Sequence, residues 1–412
     1  MKLRSVAGAV VAALIGGVLV IPSSSGAVKA GTTCKKAGLQ TVDSGRKYTC
    51  IKQGKKFVWN KGVVVKAAPA ANPSPSATPS ATSSATPSPT PTPTPTKTFS
   101  PYELTKIKAY ENIRAEAEKD GSKNINLVYH ISDNVPQELR DLYKIQAIYS
   151  SKLYGTFFTQ LETMNIYVYT EKDQEFLKNS DFPRMQSVVS DLNRWFVEWE
   201  SGRGQEHVLG GPAWFHEQNS KFEGHAGVFV YSKSSKATHR KYAIQVLPHE
   251  YFHVVQDYFI KRNPKWTDQQ SWDTLFAPIF REGSANTISF ALSNDTKVSY
   301  LELYAQFIDE KKRDSSVRLF STLTSKEAVV KALNSMRTRA TSVDAHESSY
   351  SVGSLLFEWV IAEYGFDAYR KIVVNQQIGN NFGDNIQASL GISEAELYEK
   401  AAPHILAAFN GG

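Results

Sequence analysis

A tract over residues 67–100, AAPAANPSPSATPSATSSATPSPTPTPTPTKTFS, consists almost entirely of proline, serine, threonine and alanine. Such a composition cannot bury apolar surface, and it predicts an extended, polyproline-like and disordered linker. The chain must therefore fold as separate units on either side of this tract. The region after it, residues 101–412, is long enough to build a hydrophobic core of its own.

The first residues have the layout of a secretory signal peptide. Two basic residues precede an apolar run over residues 6–21, and small residues follow it, with cleavage predicted after Ala30 or Ala27. An uncleaved membrane anchor is the alternative, but the run is shorter than the ~20 residues that a spanning helix needs. We therefore expect residues 1–30 to be a signal peptide, and the protein to be secreted, extracellular or associated with a cell wall.

Residues 31–66 are predicted to form a small basic β module. The chain has two cysteines, Cys34 and Cys50, and in an exported protein such a pair is expected to form a disulfide. Short β-favouring runs lie between glycine-containing turns around this pair. Nine Lys and Arg residues stand against one acidic residue, Asp43. This charge has two interpretations: a solubilising surface, or attraction to an anionic cell-wall or membrane surface.

Residues 101–412 are predicted to contain strands and helices first and helices later. Alternating hydrophobic residues predict three strands, over 124–131, 164–170 and 225–232. A helical period predicts helices among them, over 103–119, 137–158 and 190–200. This order predicts an α+β fold, in which a mixed α/β subdomain packs on a helical one with an active-site cleft between them.

The sequence VLPHEYFHVVQDYF contains a metal-binding pattern. Pro248 suits the first position of a helix, so we expect a helix over residues 249–262. His249 and His253 then project from one helical face one turn apart, where both imidazoles reach a single Zn²⁺. Glu250 is placed to take a proton from a water on the metal rather than to bind the metal itself.

Zinc hydrolases use a third protein ligand, and Glu282 is the candidate. It lies 29 residues beyond His253, in a second helical pattern that contains REGSAN. Gly283 and Ala285 are small, as close approach of another helix would require. A carboxylate followed by small residues in such an apolar setting is better explained as a ligand than as a solvated surface group.

Together these elements resemble the gluzincin metallopeptidases of the MA-like peptidase clan, in which HExxH is followed by an EGxA helix. The matching segments here are HEYFH and EGSA, and residues 350–373 are similar to a late helix of the same clan. The resemblance implies a zincin-like domain over residues 101–412 that hydrolyses peptide bonds in peptide or protein substrates. A catalytically inactive cell-surface binding protein with the same fold is the alternative. The N-terminal module separately resembles short Cys-containing modules of exported actinobacterial proteins, which implies no chemistry.

The gluzincin resemblance also implies roles for single residues. His249, His253 and Glu282 would bind zinc, and Glu250 would act as general base and later as proton shuttle. Tyr350 is the candidate donor to the oxyanion.

Further residues around the predicted site have open alternatives. His346 is a less favoured oxyanion donor than Tyr350. Asn286 stands where some gluzincins have an aspartate that orients a zinc histidine, and its amide can accept the same hydrogen bond. Asp257 either orients a ligand or forms an ion pair on the helix surface.

Other chemistries are not predicted. Residues 101–412 contain no cysteine, and neither G-x-S-x-G nor G-x-x-x-x-G-K-[ST] occurs in the chain. Nucleic-acid binding is not expected, because the basic module is small and exported. His225 begins a strand, over residues 225–231, that in the resembled family would edge the cleft and pair with an extended substrate backbone. We expect His225 itself to be a turn or surface residue, and contact with substrate is the alternative. Five histidines without partners at a recognisable spacing are interpreted as structural: His130, His207, His216, His239 and His404.

Overall fold

The structure is a computed structural model, and it divides the chain into two compact units, Met1–Pro93 and Thr94–Gly412. The predicted signal peptide, residues 67–97 of the predicted linker and the predicted helix over 190–200 lie outside the described residues. The structure describes residues 31–34, 40–43, 46–54, 56–61, 63–64, 98–158, 163–179, 208–218, 221–233, 243–267, 275, 277–313, 318–337, 343–379 and 381–410.

The first unit contains a small antiparallel sheet and the predicted disulfide. Its strands are β1 (Gln40–Asp43), β2 (Arg46–Gln53), β3 (Lys56–Trp59) and β4 (Val63–Val64). Strand β2 pairs with each of the other three. The disulfide joins Cys34 to Cys50, and Cys50 is buried. The prediction of a disulfide in a small β module is confirmed.

The second unit contains a four-stranded mixed sheet followed by helices. Its strands are β5 (Asn126–Ile131), β6 (Thr163–Tyr169), β7 (Val208–Gln218) and β8 (Lys221–Val230). Their order is β5-β6-β8-β7, with β5, β6 and β8 parallel and β7 antiparallel to β8. The predicted α+β class, with strands mainly in the first half, is confirmed.

Eleven helices of the second unit lie within the described ranges. They are α1 (Pro101–Ala117), α2 (Gln137–Tyr154), α3 (Gln174–Lys178), α4 (Ala243–Ile260), α5 (Pro278–Leu292), α6 (Lys297–Arg313), α7 (Lys326–Ser335), α8 (Val343–Tyr364), α9 (Phe366–Val374), α10 (Phe382–Leu390) and α11 (Glu394–Asn410). In the described part of the chain, no helix has the length and apolar character that crossing a membrane requires.

A capping box marks the start of α1. The Ser100 side chain accepts a hydrogen bond from the Glu103 N–H, and the Glu103 carboxylate accepts one from the Ser100 N–H. Pro101 occupies the first turn, where its missing N–H costs no intrahelical bond. The helix therefore begins directly after the predicted linker.

The sheet supports helix α4, which carries the HExxH pattern. Met164, Ile166 and Val168 alternate along β6 and belong to one buried core cluster. Leu247 and Phe252 of α4 belong to the same cluster. Helix α4 therefore packs on the apolar face of the sheet, in contact with β7 and β8.

Helices α5 and α8 cross with their backbones in contact. A Cβ atom on Gly283 would lie 2.3 Å from the carbonyl carbon of Gly353. Thr287 strengthens the crossing, since its hydroxyl lies 2.9 Å from the Gly283 carbonyl oxygen and 2.7 Å from that of Ser354. The close approach predicted from the small residue after Glu282 is therefore present at Gly283.

Two differences from the predicted helices concern the elements around the predicted site. Helix α4 begins at Ala243, so Pro248 lies inside it rather than at its first position. Burial of Leu247 and Tyr251 outweighs the backbone bond that the proline removes. The Pro248 carbonyl accepts a hydrogen bond from the Tyr154 hydroxyl at 2.9 Å. The late helix is divided into α8 and α9 by Gly365, whose φ of 82° interrupts the helix.

Two predictions about His225 and its strand are wrong. Strand β8 lies between β6 and β7, so it has no free edge, and β7 is the strand beside it at the end of the sheet. His225 is neither in a turn nor on the surface, because its side chain is fully buried in β8 and stacks on Trp214 at 4.4 Å. This burial, with smaller effects of His216 and His130, lowers the pKa of His225 to about 3.

Candidate metal centre

Three predicted ligand atoms converge between helices α4 and α5. The Nε2 atoms of His249 and His253 lie 3.0 Å apart. Oε2 of Glu282 lies 3.4 Å from the first and 3.3 Å from the second. Ligand atoms bound at 2.0–2.1 Å in a tetrahedral zinc site lie about 3.3 Å from each other. The three side chains form a candidate metal-binding group with this spacing.

Asn286 determines which nitrogen of His249 faces the centre. The Asn286 Nδ2 group donates to the Tyr350 carbonyl oxygen at 3.0 Å, so its Oδ1 atom is the one that faces His249. This oxygen lies 2.8 Å from Nδ1 of His249 and can only accept a hydrogen bond. The proton of His249 is therefore on Nδ1, and its Nε2 lone pair points to the centre. Asn286 thus occupies the orienting position predicted for it.

Gln256 has the same relation to His253, although it was not predicted from the sequence. Its Nε2 group donates to the Arg281 carbonyl oxygen at 2.9 Å and to the Ser284 hydroxyl at 3.0 Å. Its Oε1 atom lies 2.7 Å from Nδ1 of His253. His253 and Gln256 are three residues apart and therefore neighbours on one face of α4, and this spacing is the signal that could have identified Gln256.

Asp257, the other predicted orienting residue, joins α4 to the sheet. Its carboxylate accepts a hydrogen bond from the Phe215 N–H at 2.7 Å and forms an ion pair with Lys261 at 2.5 Å. The ion pair was the alternative interpretation, but Asp257 is buried rather than on the helix surface. Asp257 therefore fixes the position of β7 relative to the helix of the two histidines.

Arg281 orients the carboxylate of Glu282. Its Nε atom lies 2.7 Å from Oε1 of Glu282, which leaves Oε2 directed towards the histidines. Burial alone would raise the pKa of Glu282, but His253, His249 and Arg281 outweigh it and hold the pKa well below its usual range. The ligand atom of Glu282 is therefore part of an ionised carboxylate.

The donor set fits a divalent metal ion. Two imidazole lone pairs and one carboxylate oxygen face a common point, and the imidazole protons are engaged on the far sides of both rings. Such a convergence of electron pairs is repulsive unless a cation lies between them. Two nitrogen donors and one oxygen donor suit a borderline transition metal better than Ca²⁺ or Mg²⁺.

Glu250 is buried beside the metal-binding group. Burial, reinforced by the charge of Glu282 and opposed by that of His249, raises its pKa to about 8. The backbone of strand β7 leaves no space for a side chain at Gly210 beside Glu250. A Cβ atom on Gly210 would lie 1.8 Å from Oε1 of Glu250. Gly210 was not predicted from the sequence, although the Gly-Gly-Pro sequence at this point is unusual for a strand.

Tyr350, the predicted oxyanion donor, lies beside His249. The two rings are 5.8 Å apart and nearly parallel. Burial raises the pKa of Tyr350, and the charges of Glu282 and Glu250 and a hydrogen bond to Glu282 raise it further. Its hydroxyl group therefore keeps its proton. The side chain of His346, the less favoured donor, lies outside the described residues.

The comparisons with known proteins give no relative. Neither a protein-family model, nor a curated protein, nor a solved structure shows significant similarity to the chain. The proposed function is therefore based on the geometry of the centre.

Proposed function

We propose that residues 101–412 are a zinc-dependent peptidase of zincin-like, gluzincin type. His249, His253 and Glu282 would hold the ion, and the observation that carries the proposal is the convergence of their three ligand atoms. Three protein ligands leave one tetrahedral position open, as in catalytic zinc sites and in contrast to closed structural ones.

The residues around the centre supply the parts that peptide hydrolysis needs. When bound, zinc acts as a Lewis acid towards water and towards a carbonyl group. Glu250, which is buried beside the three ligands, would accept the proton of the attacking water and deliver it to the leaving amine. Tyr350 donates a hydrogen bond to the oxygen on which negative charge develops.

The first unit supports a location outside the cell. A disulfide persists in an oxidising compartment, and the Cys34–Cys50 bond is therefore in keeping with secretion. We propose that the protein is secreted, and that the basic first unit attracts it to an anionic cell-wall or membrane surface. The substrates are then extracellular peptides or proteins.

The test uses the purified full chain, its zinc content and its hydrolysis of a broad peptide library. We expect one zinc bound by this centre, and hydrolysis that a chelator abolishes. Glu250→Gln should keep this zinc and lower kcat by about 100-fold or more, because general bases contribute 10²- to 10⁴-fold. Glu302→Gln, which changes an exposed glutamate on α6, is the matched control and should retain full activity.

Each other result has a definite meaning. A folded chain with zinc at this centre but without hydrolysis of the library would favour the inactive binding protein. A folded chain in which Glu282→Ala changes neither zinc content nor activity would contradict the proposal.

A further inference from the structure

A second group of metal-ligand side chains lies on the β7–β8 hairpin. It consists of His216, Glu223 and His225, one ligand atom from each lying within 4.8 Å of the others. Nε2 of His225 is 3.9 Å from Oε2 of Glu223. The sequence predicts a structural role for His216 and a turn or surface position for His225, and it does not predict this group.

The strand register explains why these side chains meet. His216 pairs directly with Glu223, and Trp214 pairs directly with His225. Residues opposite each other in an antiparallel pair lie on the same face, as do residues two apart in one strand. The three side chains therefore share one face of the hairpin. Their neighbours Phe215 and Ala226 point to the opposite face, which packs in the core with α4.

One member of the group is held in place and two can adjust. The His225 ring lies parallel to Trp214 and has its Nδ1 atom 3.4 Å from the Tyr167 hydroxyl. With Nδ1 protonated and donating to this oxygen, Nε2 of His225 offers its lone pair on the side of Glu223. His216 and Glu223 are half-exposed, so their side chains can rotate towards an incoming ion.

We propose that His216, Glu223 and His225 form a second divalent-metal site, which takes Zn²⁺ or a similar transition-metal ion. Two imidazoles and a carboxylate are the donors that such ions prefer, and small rotations of the exposed pair shorten the spread of the ligand atoms to tetrahedral spacing. The proposal does not depend on peptidase activity.

A metal ion at this position joins the two strands of the hairpin. His216 belongs to β7, whereas Glu223 and His225 belong to β8. Strand β7 also carries Gly210, where a Cβ atom would lie 1.8 Å from Oε1 of Glu250. Metal binding at the hairpin would therefore stabilise the strand that borders the first centre, and its role is structural rather than catalytic.

The test is a titration of the metal-stripped full chain with Zn²⁺ alone, followed by calorimetry and elemental analysis. Glu282→Ala removes a ligand of the first centre, and this variant should still bind one equivalent. Adding Glu223→Gln or His216→Ala to it should abolish that equivalent. Glu217→Gln changes an exposed carboxylate on the same strand and is the matched control, which should leave binding unchanged.

A second measurement distinguishes loss of the metal site from loss of the fold. Zn²⁺ should raise the unfolding temperature of the Glu282→Ala chain, and the added Glu223→Gln change should remove this rise without altering the metal-free circular dichroism spectrum. The proposal is overturned if Glu282→Ala binds no zinc, or if the remaining equivalent survives both hairpin substitutions. Failure of the first centre would instead appear as zinc content insensitive to Glu282→Ala.

Discussion

Nδ1 of His249, in α4, lies 2.8 Å from Oδ1 of Asn286, in α5. The amide is itself fixed, because its nitrogen donates to the Tyr350 carbonyl oxygen in α8. Three helices therefore determine the orientation of one imidazole. Such partners of a metal ligand set its tautomer and its basicity.

Asn286→Ala should weaken zinc binding at the first centre by about 10- to 100-fold, the usual effect of removing a partner of a metal-binding histidine. Asn286→Asp should strengthen it, since a carboxylate makes the imidazole more basic. Competition with a chromogenic chelator measures both. Asn334→Ala, on the exposed side of α7, is the control. Equal affinities in all these variants would show that the amide does not orient His249.

Gly210→Ala should lower kcat and leave zinc content unchanged. The added methyl group would occupy the position of the Glu250 carboxylate, 1.8 Å from its Oε1 atom, so this flexible side chain has to move away. Zinc analysis and peptide hydrolysis separate the two effects. Gly227→Ala on β8 is the control, because its nearest contact would be 3.3 Å away. Wild-type kcat in Gly210→Ala would mean that the position of Glu250 is not critical.

Lys106→Met should destabilise the second unit by about 3–5 kcal/mol, the usual cost of removing one partner from a buried ion pair. Lys106 lies 2.9 and 3.0 Å from the two carboxylate oxygens of Glu358, and both side chains are buried. Urea unfolding measures the change. Lys108→Met, which alters an exposed ion pair on the same helix, should change stability by less than about 1 kcal/mol. Similar losses in the two variants would contradict the buried pair's importance.

Glu358 should also make stability depend on pH. Burial opposes its ionisation, but Lys106 and His404 outweigh this effect, so its pKa is lowered from 4.5. The folded state then binds this proton less tightly than the unfolded state. The resulting stability is present above pH 4.5 and is lost as pH falls through the folded pKa. The stability difference between wild type and Glu358→Gln should therefore shrink below pH 4.5, and a constant difference would disprove the linkage.

Replacing Cys34 and Cys50 by serine should destabilise the first unit by about 3 kcal/mol, because the bond closes a loop of about 15 residues. Zinc content and hydrolysis by the second unit should be unaffected. Thermal unfolding of the double variant, beside a peptide-hydrolysis assay, checks both statements. Loss of activity with the disulfide would indicate coupling between the units.

The sequence identified the side chains of the first centre because its signals are local. His249 and His253 lie one turn apart on a single helix, so periodicity alone places them on one face, and Glu250 directly follows the first of them. Glu282 was predicted as the third ligand because zinc hydrolases use three protein ligands and because a small residue follows it. The contact between Gly283 and Gly353 is the packing that this small residue permits.

Contacts between distant segments were harder to predict. Strand β7 was missed because Gly210-Gly211-Pro212 interrupts its alternation, and the strand tolerates them through a register shift between Gly210 and Ala213. The burial of His225 depends on Trp214, which only the pairing of β7 with β8 brings next to it. Pro248 suggested a helix start, whereas α4 begins five residues earlier, at Ala243. Tertiary packing stabilises this first part of the helix, and such packing leaves no local signal in the sequence.

The buried carboxylate of Glu358 receives Lys106 from the first helix of the second unit and His404 from the last. During synthesis on the ribosome, about 250 residues separate the emergence of Lys106 from that of Glu358, and His404 follows later still. A nascent chain therefore cannot complete this network until its final helix is available.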